Sequence, residues 1–204
     1  VLYGTHRGAT GNRIRRRLRR SGGVDAGYFT ARGADMFVGY LREGVLFSPD
    51  HPTDDERAAA REFGVTVAGR AANIEPHDPP TPVLYALERA SLNRFFIQTT
   101  LARAFHADDR CIGCGACVKR CPMGNIALTG APLDGSTAPT PEWGTDCLMC
   151  GICALVCPVD AVRSPYDWGI NRIFMKLNVR RGKRAGVPFR AVDPADRSTW
   201  GPSL

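Results

Sequence analysis

Residues 111–122 read CIGCGACVKRCP, and residues 147–158 read CLMCGICALVCP. Both fit C-x2-C-x2-C-x3-C-P, with Cys111, Cys114, Cys117, Cys121 and Pro122 in the first window and Cys147, Cys150, Cys153, Cys157 and Pro158 in the second. The second window repeats the first at an offset of 36 residues, 111 to 147 and 121 to 157, the mark of an internal duplication. These eight positions are all the cysteines of the 204-residue chain, so the two windows account for its whole thiol chemistry.

Three chemistries compete for such windows. A disulfide scaffold belongs to exported chains, and residues 1–7 lack the basic, apolar and small-residue segments of a secretory signal. Structural zinc prefers two separated ligand pairs around one tetrahedral ion, whereas C-x2-C-x2-C puts three sulfurs into one loop. A cube of four irons and four sulfides fits better, because thiolates at every third residue wrap three of its corners. The fourth cysteine, after a longer gap and before a proline, points elsewhere. In the two-cluster pattern that cysteine ligates the other cluster. Cluster I then takes Cys111, Cys114, Cys117 and Cys157, and cluster II takes Cys147, Cys150, Cys153 and Cys121. Gly113, Gly115 and Gly151 lie between ligands, where the backbone turns sharply and brings N–H groups towards sulfur. Taken singly, each would pass for an ordinary turn glycine. The formal charge of +7 treats the cysteines as neutral; two oxidised clusters with their thiolates, at about −2 each, bring it to roughly +3.

The stretch from Arg110 to about Ser164 resembles the two-cluster bacterial-type ferredoxin, over all eight cysteines, both prolines and the repeat. The resemblance implies a small α+β domain in two pseudosymmetric halves, with clusters buried between them and electrons passing one at a time. One departure is the long spacer Met123 to Asp146, whose Pro132, Gly135, Pro139 and Pro141 read as a loop joining the halves.

The first seventy or so residues have no cysteine and alternate strand and helix signals. VLYG reads as the end of a buried strand, Arg13 to Arg20 as a basic helix stopped by Gly22 and Gly23, and Val24 to Thr30 as a strand. Thr53 is placed to cap a helix opening DDERAAAREF, with acidic residues in its first turn. That cadence suits a doubly wound sheet. YGTHRGATGN, AGYFT and HPTDDERAAAREF are similar to the C-terminal half of a flavodoxin-like domain, and the whole order resembles flavodoxin and ferredoxin fusion proteins. The resemblance implies a chain starting near the fourth strand, in keeping with Val1 in place of a start Met. A rival alignment takes THRGATGN as a loose match to the FMN phosphate loop after a first strand. On the first alignment Thr5, Gly8 and Gly11 lie in a loop that would border a flavin ring only in a complete protein.

The expected organisation is α+β: a partial flavodoxin-like region over 1–78, a linker helix over 79–108, the two-cluster ferredoxin domain over 109–166 and a C-terminal extension over 167–204. Pro82 to Phe105 carries Leu84, Leu87, Leu92, Phe95, Phe96, Leu101 and Phe105 at helical spacing. The arginines at 15, 16, 17, 19 and 20 and the group Arg180, Arg181, Lys183 and Arg184 invite a nucleic-acid reading, but no aromatic platform accompanies them. An acidic redox partner suits them better. His6, His51, His77 and His106 show no paired ligand spacing. After Ser164, Trp168, Phe174, Met175 and Leu177 read as a helix packed back on the ferredoxin, before a proline-containing, polar and mobile end. No run reaches the roughly 18 to 20 apolar residues of a membrane span.

The expected function is electron relay between a donor and an acceptor protein in the cytoplasm, with two [4Fe-4S] clusters and without catalysis of its own. The alternative is an electron-input part of a flavin-dependent oxidoreductase.

Overall fold

The structure, a computed structural model, describes residues 2–3, 10–70, 94–130 and 139–200. The chain forms two units: residues 1–36, 45–91 and 181–192 make the first, and residues 37–44, 92–180 and 193–204 the second.

In the first unit, β1 (Leu2–Tyr3) pairs in parallel with β2 (Ala31–Arg32), and α1 (Thr10–Arg20) makes the crossover. Helix α1 stops where expected. Gly22 takes φ 81°, and the Gly23 N–H donates back to the Leu18 carbonyl at 2.9 Å, a left-handed cap that glycine adopts without a Cβ penalty. The strand expected over Val24–Thr30 does not form; residues 23–30 carry no regular structure. The cause is Asp25, which is 1% exposed and holds both Arg15 Nε, at 2.7 Å, and the Gly27 N–H, at 2.9 Å. A buried carboxylate thus claims a backbone donor that a ladder would need.

Helix α3 (Asp54–Arg70) begins as its sequence predicts. The Thr53 hydroxyl accepts the Glu56 N–H at 3.2 Å, and the Glu56 carboxylate accepts the Thr53 N–H at 2.8 Å, a reciprocal capping box. Between β2 and α3 lies β3 (Val45–Phe47), buried along its whole length and antiparallel to β8 (Phe189–Ala191), with Leu46 opposite Arg190. Among the described residues this unit holds one parallel pair and one antiparallel pair. The doubly wound sheet expected of a flavodoxin-like region is not formed there.

The second unit is organised by the duplication. It contains α2 (Val38–Leu41) and a helical run from α4 (Arg94–Phe96) through a π-turn (Ile97–Leu101) and a 3-10 turn (Ala102–Ala104) to the buried Phe105. The part of the expected linker helix before residue 94 lies outside the described residues. β4 (His106–Ala107) pairs antiparallel with β7 (Val162–Arg163), and β5 (Ile126–Thr129) with β6 (Thr140–Trp143). The 36-residue offset carries one ladder onto the other. His106 opposite Arg163 maps onto Glu142 opposite Ala127, and Ala107 opposite Val162 onto Trp143 opposite Ile126. Helix α5 (Ala116–Arg120) maps likewise onto α6 (Ile152–Leu155), and the two helices pack together.

Two expectations change in this unit. The spacer read as a loop is a hairpin in its described part, β5 and β6, with residues 131–138 outside the description. Its base is tied by Asn125, which donates to the Gly144 carbonyl and accepts the Asp146 N–H, both at 3.0 Å. The end of the chain read as mobile is anchored as far as Trp200. Arg197 donates to the carbonyls of Ala154 at 2.8 Å and Cys157 at 2.6 Å and pairs with Asp160, while Trp200 Nε1 donates to the Asp193 carbonyl at 2.8 Å. The second unit also holds an aromatic cluster: Phe37 meets Tyr166 edge-on at 4.7 Å, and Phe105 lies 6.3 Å from Trp143 and 6.4 Å from Tyr166.

Candidate metal centre

Two cavities, each of about 340 Å³ with part of that volume open to solvent, are ringed by cysteine. Cys111, Cys114 and Cys117 share the first with Cys157, and Cys147, Cys150 and Cys153 share the second with Cys121. Each triplet of one half therefore meets the fourth cysteine of the other.

Local backbone conformation makes this exchange. Gly115 and Gly151 sit at left-handed positions, φ 70° and 74°, immediately before α5 and α6, so that Cys117 and Cys153 enter the first helical turn while the preceding cysteines stay on the loop. Helix α5 ends at Cys121, whose extended φ, ψ of −69° and 115° carries its sulfur out of the helix before Pro122. A second set of left-handed positions is related by the same offset, Gly113 with Met149 and Gly124 with Asp160. The middle cysteines of both triplets, Cys114 and Cys150, are exposed, whereas Cys117, Cys153 and Cys157 are buried.

Several groups face the sulfurs. The Asn125 N–H donates to Cys121 Sγ at 3.4 Å, and its duplicate, the Ala161 N–H, donates to Cys157 Sγ at 3.2 Å. The Met149 N–H reaches Cys147 Sγ at 3.4 Å. Such donors favour the thiolate. Burial works the other way: it pushes the Cys117 and Cys147 thiols up and raises Cys153 to about 12. Without metal these thiols are neutral at ordinary pH, so loading metal releases protons.

The donor set fits an iron–sulfur cube better than a single ion. Tetrahedral zinc, with Zn–S near 2.3 Å, needs sulfurs roughly 3.8 Å apart. Among the described residues, no three of His, Cys, Asp and Glu gather closely enough to hold one ion. The four sulfurs of each set instead surround a space walled by apolar side chains, Ile112, Leu128 and Val162 in the first and Phe105, Ile126 and Leu148 in the second. Trp143 lines the second cavity, and its buried indole Nε1–H faces the Cys153 sulfur, favouring its thiolate, without closing to a full hydrogen bond. A buried donor of this kind is costly unless an acceptor such as a sulfide faces it.

Gly113, Gly115 and Gly151, the glycines read as lying between ligands, all take left-handed conformations, while Trp143, Asn125, Ala161 and Arg197 were not singled out. Their spacing carries no signal, although the 36-residue offset relates Asn125 to Ala161. Of the residues expected to border a flavin, Thr5 and Gly8 lie outside the described residues. Gly11 lies in the first turn of α1, where the Tyr28 ring fills the space that a side chain would need. His51 is bound to Glu56 at 2.8 Å and His106 to the Ala104 carbonyl at 3.1 Å, and neither lines a cysteine cavity.

Residues 110–161 match the family described as a 4Fe-4S dicluster domain. Ferredoxin-3 of Rhodobacter capsulatus is 36% identical over 69 residues, an alignment that covers 25% of this chain and 68% of that protein.

Proposed function

The chain belongs to the ferredoxin family, and from that premise we propose that it holds two [4Fe-4S] clusters and relays single electrons between two redox proteins. Cys111, Cys114, Cys117 and Cys157 hold the first cluster, and Cys147, Cys150, Cys153 and Cys121 the second. A bound cluster supplies reversible one-electron storage, and no substrate bond is made or broken on this chain. The domain that carries the chemistry spans residues 109–166, preceded by the region 1–78 and the linker 79–108 and followed by the extension 167–204.

One observation carries the reading: the convergence of Cys121 and Cys157 on the triplets of the opposite halves. A triplet alone leaves one iron corner without a protein ligand, and the exchange completes both sets of four. The chain's residues then have three tasks. The apolar walls and the burial of Cys117, Cys153 and Cys157 exclude water. The N–H donors of Asn125, Ala161 and Met149 stabilise negative charge on sulfur and so favour the reduced state. The exposed Cys114 and Cys150 bring each site to the surface, where a partner can approach. The excess of basic residues suits an acidic partner, since complementary charge speeds transient encounter. Eight cysteines used as cluster ligands rather than as disulfides suit a reducing compartment such as the cytoplasm.

Anaerobic iron and sulfide quantitation, with paramagnetic resonance after reduction and a flavin assay, tests the reading. About eight irons per chain, interacting paramagnetic signals and no flavin are expected. About four irons would remove the second cluster, and zinc in place of iron would remove the proposal. Stoichiometric flavin would favour the electron-input reading instead.

A further inference from the structure

Helix α7 (Gly169–Arg184) turns its more apolar face outward. Towards the protein it presents Asn171, Met175 and Val179, and the Asn171 side chain donates to the Pro165 carbonyl at 2.7 Å. Ile170, Ile173, Phe174 and Leu177 recur at i, i+3, i+4 and i+7, and they are 59%, 56%, 53% and 40% exposed. Trp168, 43% exposed, precedes them. Folding alone would select the opposite rotation of the helix, since aliphatic and aromatic side chains gain from burial and an asparagine does not. Apolar residues scattered singly on a surface are common, but a continuous helical stripe of four is the mark of an interface.

The charge pattern identifies what covers the stripe. Helix α7 contains Arg172, Lys176, Arg180, Arg181, Lys183 and Arg184 and no acidic residue. Arg172 faces Glu43 at 3.6 Å, while Lys176 and Arg180 are exposed at the border of the stripe. Tryptophan and aliphatic side chains on one face, with basic residues beside them and no acid on the helix, complement an anionic bilayer surface. There, negative headgroups lie directly above the acyl chains. Among the described residues no helix is long and apolar enough to cross a membrane. At 16 residues, α7 suits lying in the interface plane.

We propose that α7 docks the protein on an anionic membrane surface, with Ile170, Ile173, Phe174 and Leu177 entering the boundary between headgroups and acyl chains and Lys176 and Arg180 meeting lipid phosphates. This surface is independent of the cysteine assignment. Flotation of the full, metal-loaded chain with phosphatidylcholine vesicles, with and without one-third phosphatidylglycerol, tests it. The parent floats with the anionic vesicles only, and high salt releases it. Replacing Ile173 and Phe174 together by Glu lowers the partition at least about tenfold, as the loss of two inserted apolar side chains demands. Replacing Lys176 and Arg180 by Glu lowers it as well. All substituted side chains are exposed, so circular dichroism and visible absorption stay those of the parent; should a variant fail to fold, the lipid and salt dependence of the parent still decides. The proposal is overturned if the parent fails to float, if it floats equally with both vesicle types, or if folded variants float like the parent. A dimer that F174E dissociates, without flotation, would assign the stripe to self-association and overturn it too.

Discussion

Gly113 and Met149 occupy the same place in the two halves and meet the same backbone demand, φ 64° and 57°, with different side chains. Glycine is required at 113 for a second reason. A Cβ there would lie 2.8 Å from both the Cδ and the carbonyl oxygen of Pro139, whereas one on Gly124, at φ 58°, would meet open space. Gly113→Ala should therefore cost about 2–4 kcal/mol, strain plus overlap, and Gly124→Ala about 1 kcal/mol of strain alone. Urea unfolding of the two variants measures the difference, and equal losses would contradict the packing around Pro139. At this scale the cysteines and the glycines between them were legible, because their residue types are what tight turns around sulfur require. The left-handed Met149 and Asp160 were not, since methionine gives no sign of a positive φ and aspartate adopts one only in a minority of its positions. Trp143 escaped notice for a similar reason: an indole becomes significant only once its N–H is buried against sulfur.

The start of helix α3 is written in local sequence, and it gives the element scale its clearest energetics. Glu56 is held down to about 2, first by the Thr53 N–H and next by the hydrogen bond to His51. A carboxyl with a depressed folded pKa adds stability that is complete above its unfolded value of about 4.5 and is lost as pH falls towards about 2. Acid should therefore weaken α3 between pH 4.5 and 2 in the parent. Glu56→Gln should abolish that dependence, and Thr53→Ala should cost about 1 kcal/mol at neutral pH. Helical circular dichroism against pH checks both effects; a Glu56→Gln variant that titrates like the parent would refute the cap as their source. Other elements were less legible. Prolines in the spacer signalled a loop, yet Pro141 sits in β6 opposite Leu128. That strand exists because the duplication supplies a partner at the matching register, which no local propensity states. The buried ion pair of Arg15 with Asp25 displaced the strand expected over 24–30 in the same way, by a contact formed across the end of α1.

Across the molecule, the exchange of Cys121 and Cys157 makes each site depend on both halves. Cys157→Ser should leave about four irons per chain and expose Cys111, Cys114 and Cys117 to alkylation while Cys147, Cys150 and Cys153 stay protected. Cys121→Ser should give the reverse. Mass spectrometry of the alkylated chain reads the outcome, and loss of protection in the mutated half itself would overturn the crossing. The extension after residue 166 shows how little of the long-range structure is written locally. Its arginine at 197 caps the carbonyls of Ala154, Leu155 and Cys157 and joins Arg42 at Asp160, in a stretch that reads as a mobile tail. By itself the sequence determined the sulfur chemistry, the twofold repeat and the turns that separate the ligands, because spacing and residue type act through the nearest few backbone torsions. Only the tertiary structure decided which backbone and indole N–H groups face the sulfurs and which face of α7 is left in water. Those outcomes depend on contacts between residues tens of positions apart, and packing, rather than local preference, selects among them.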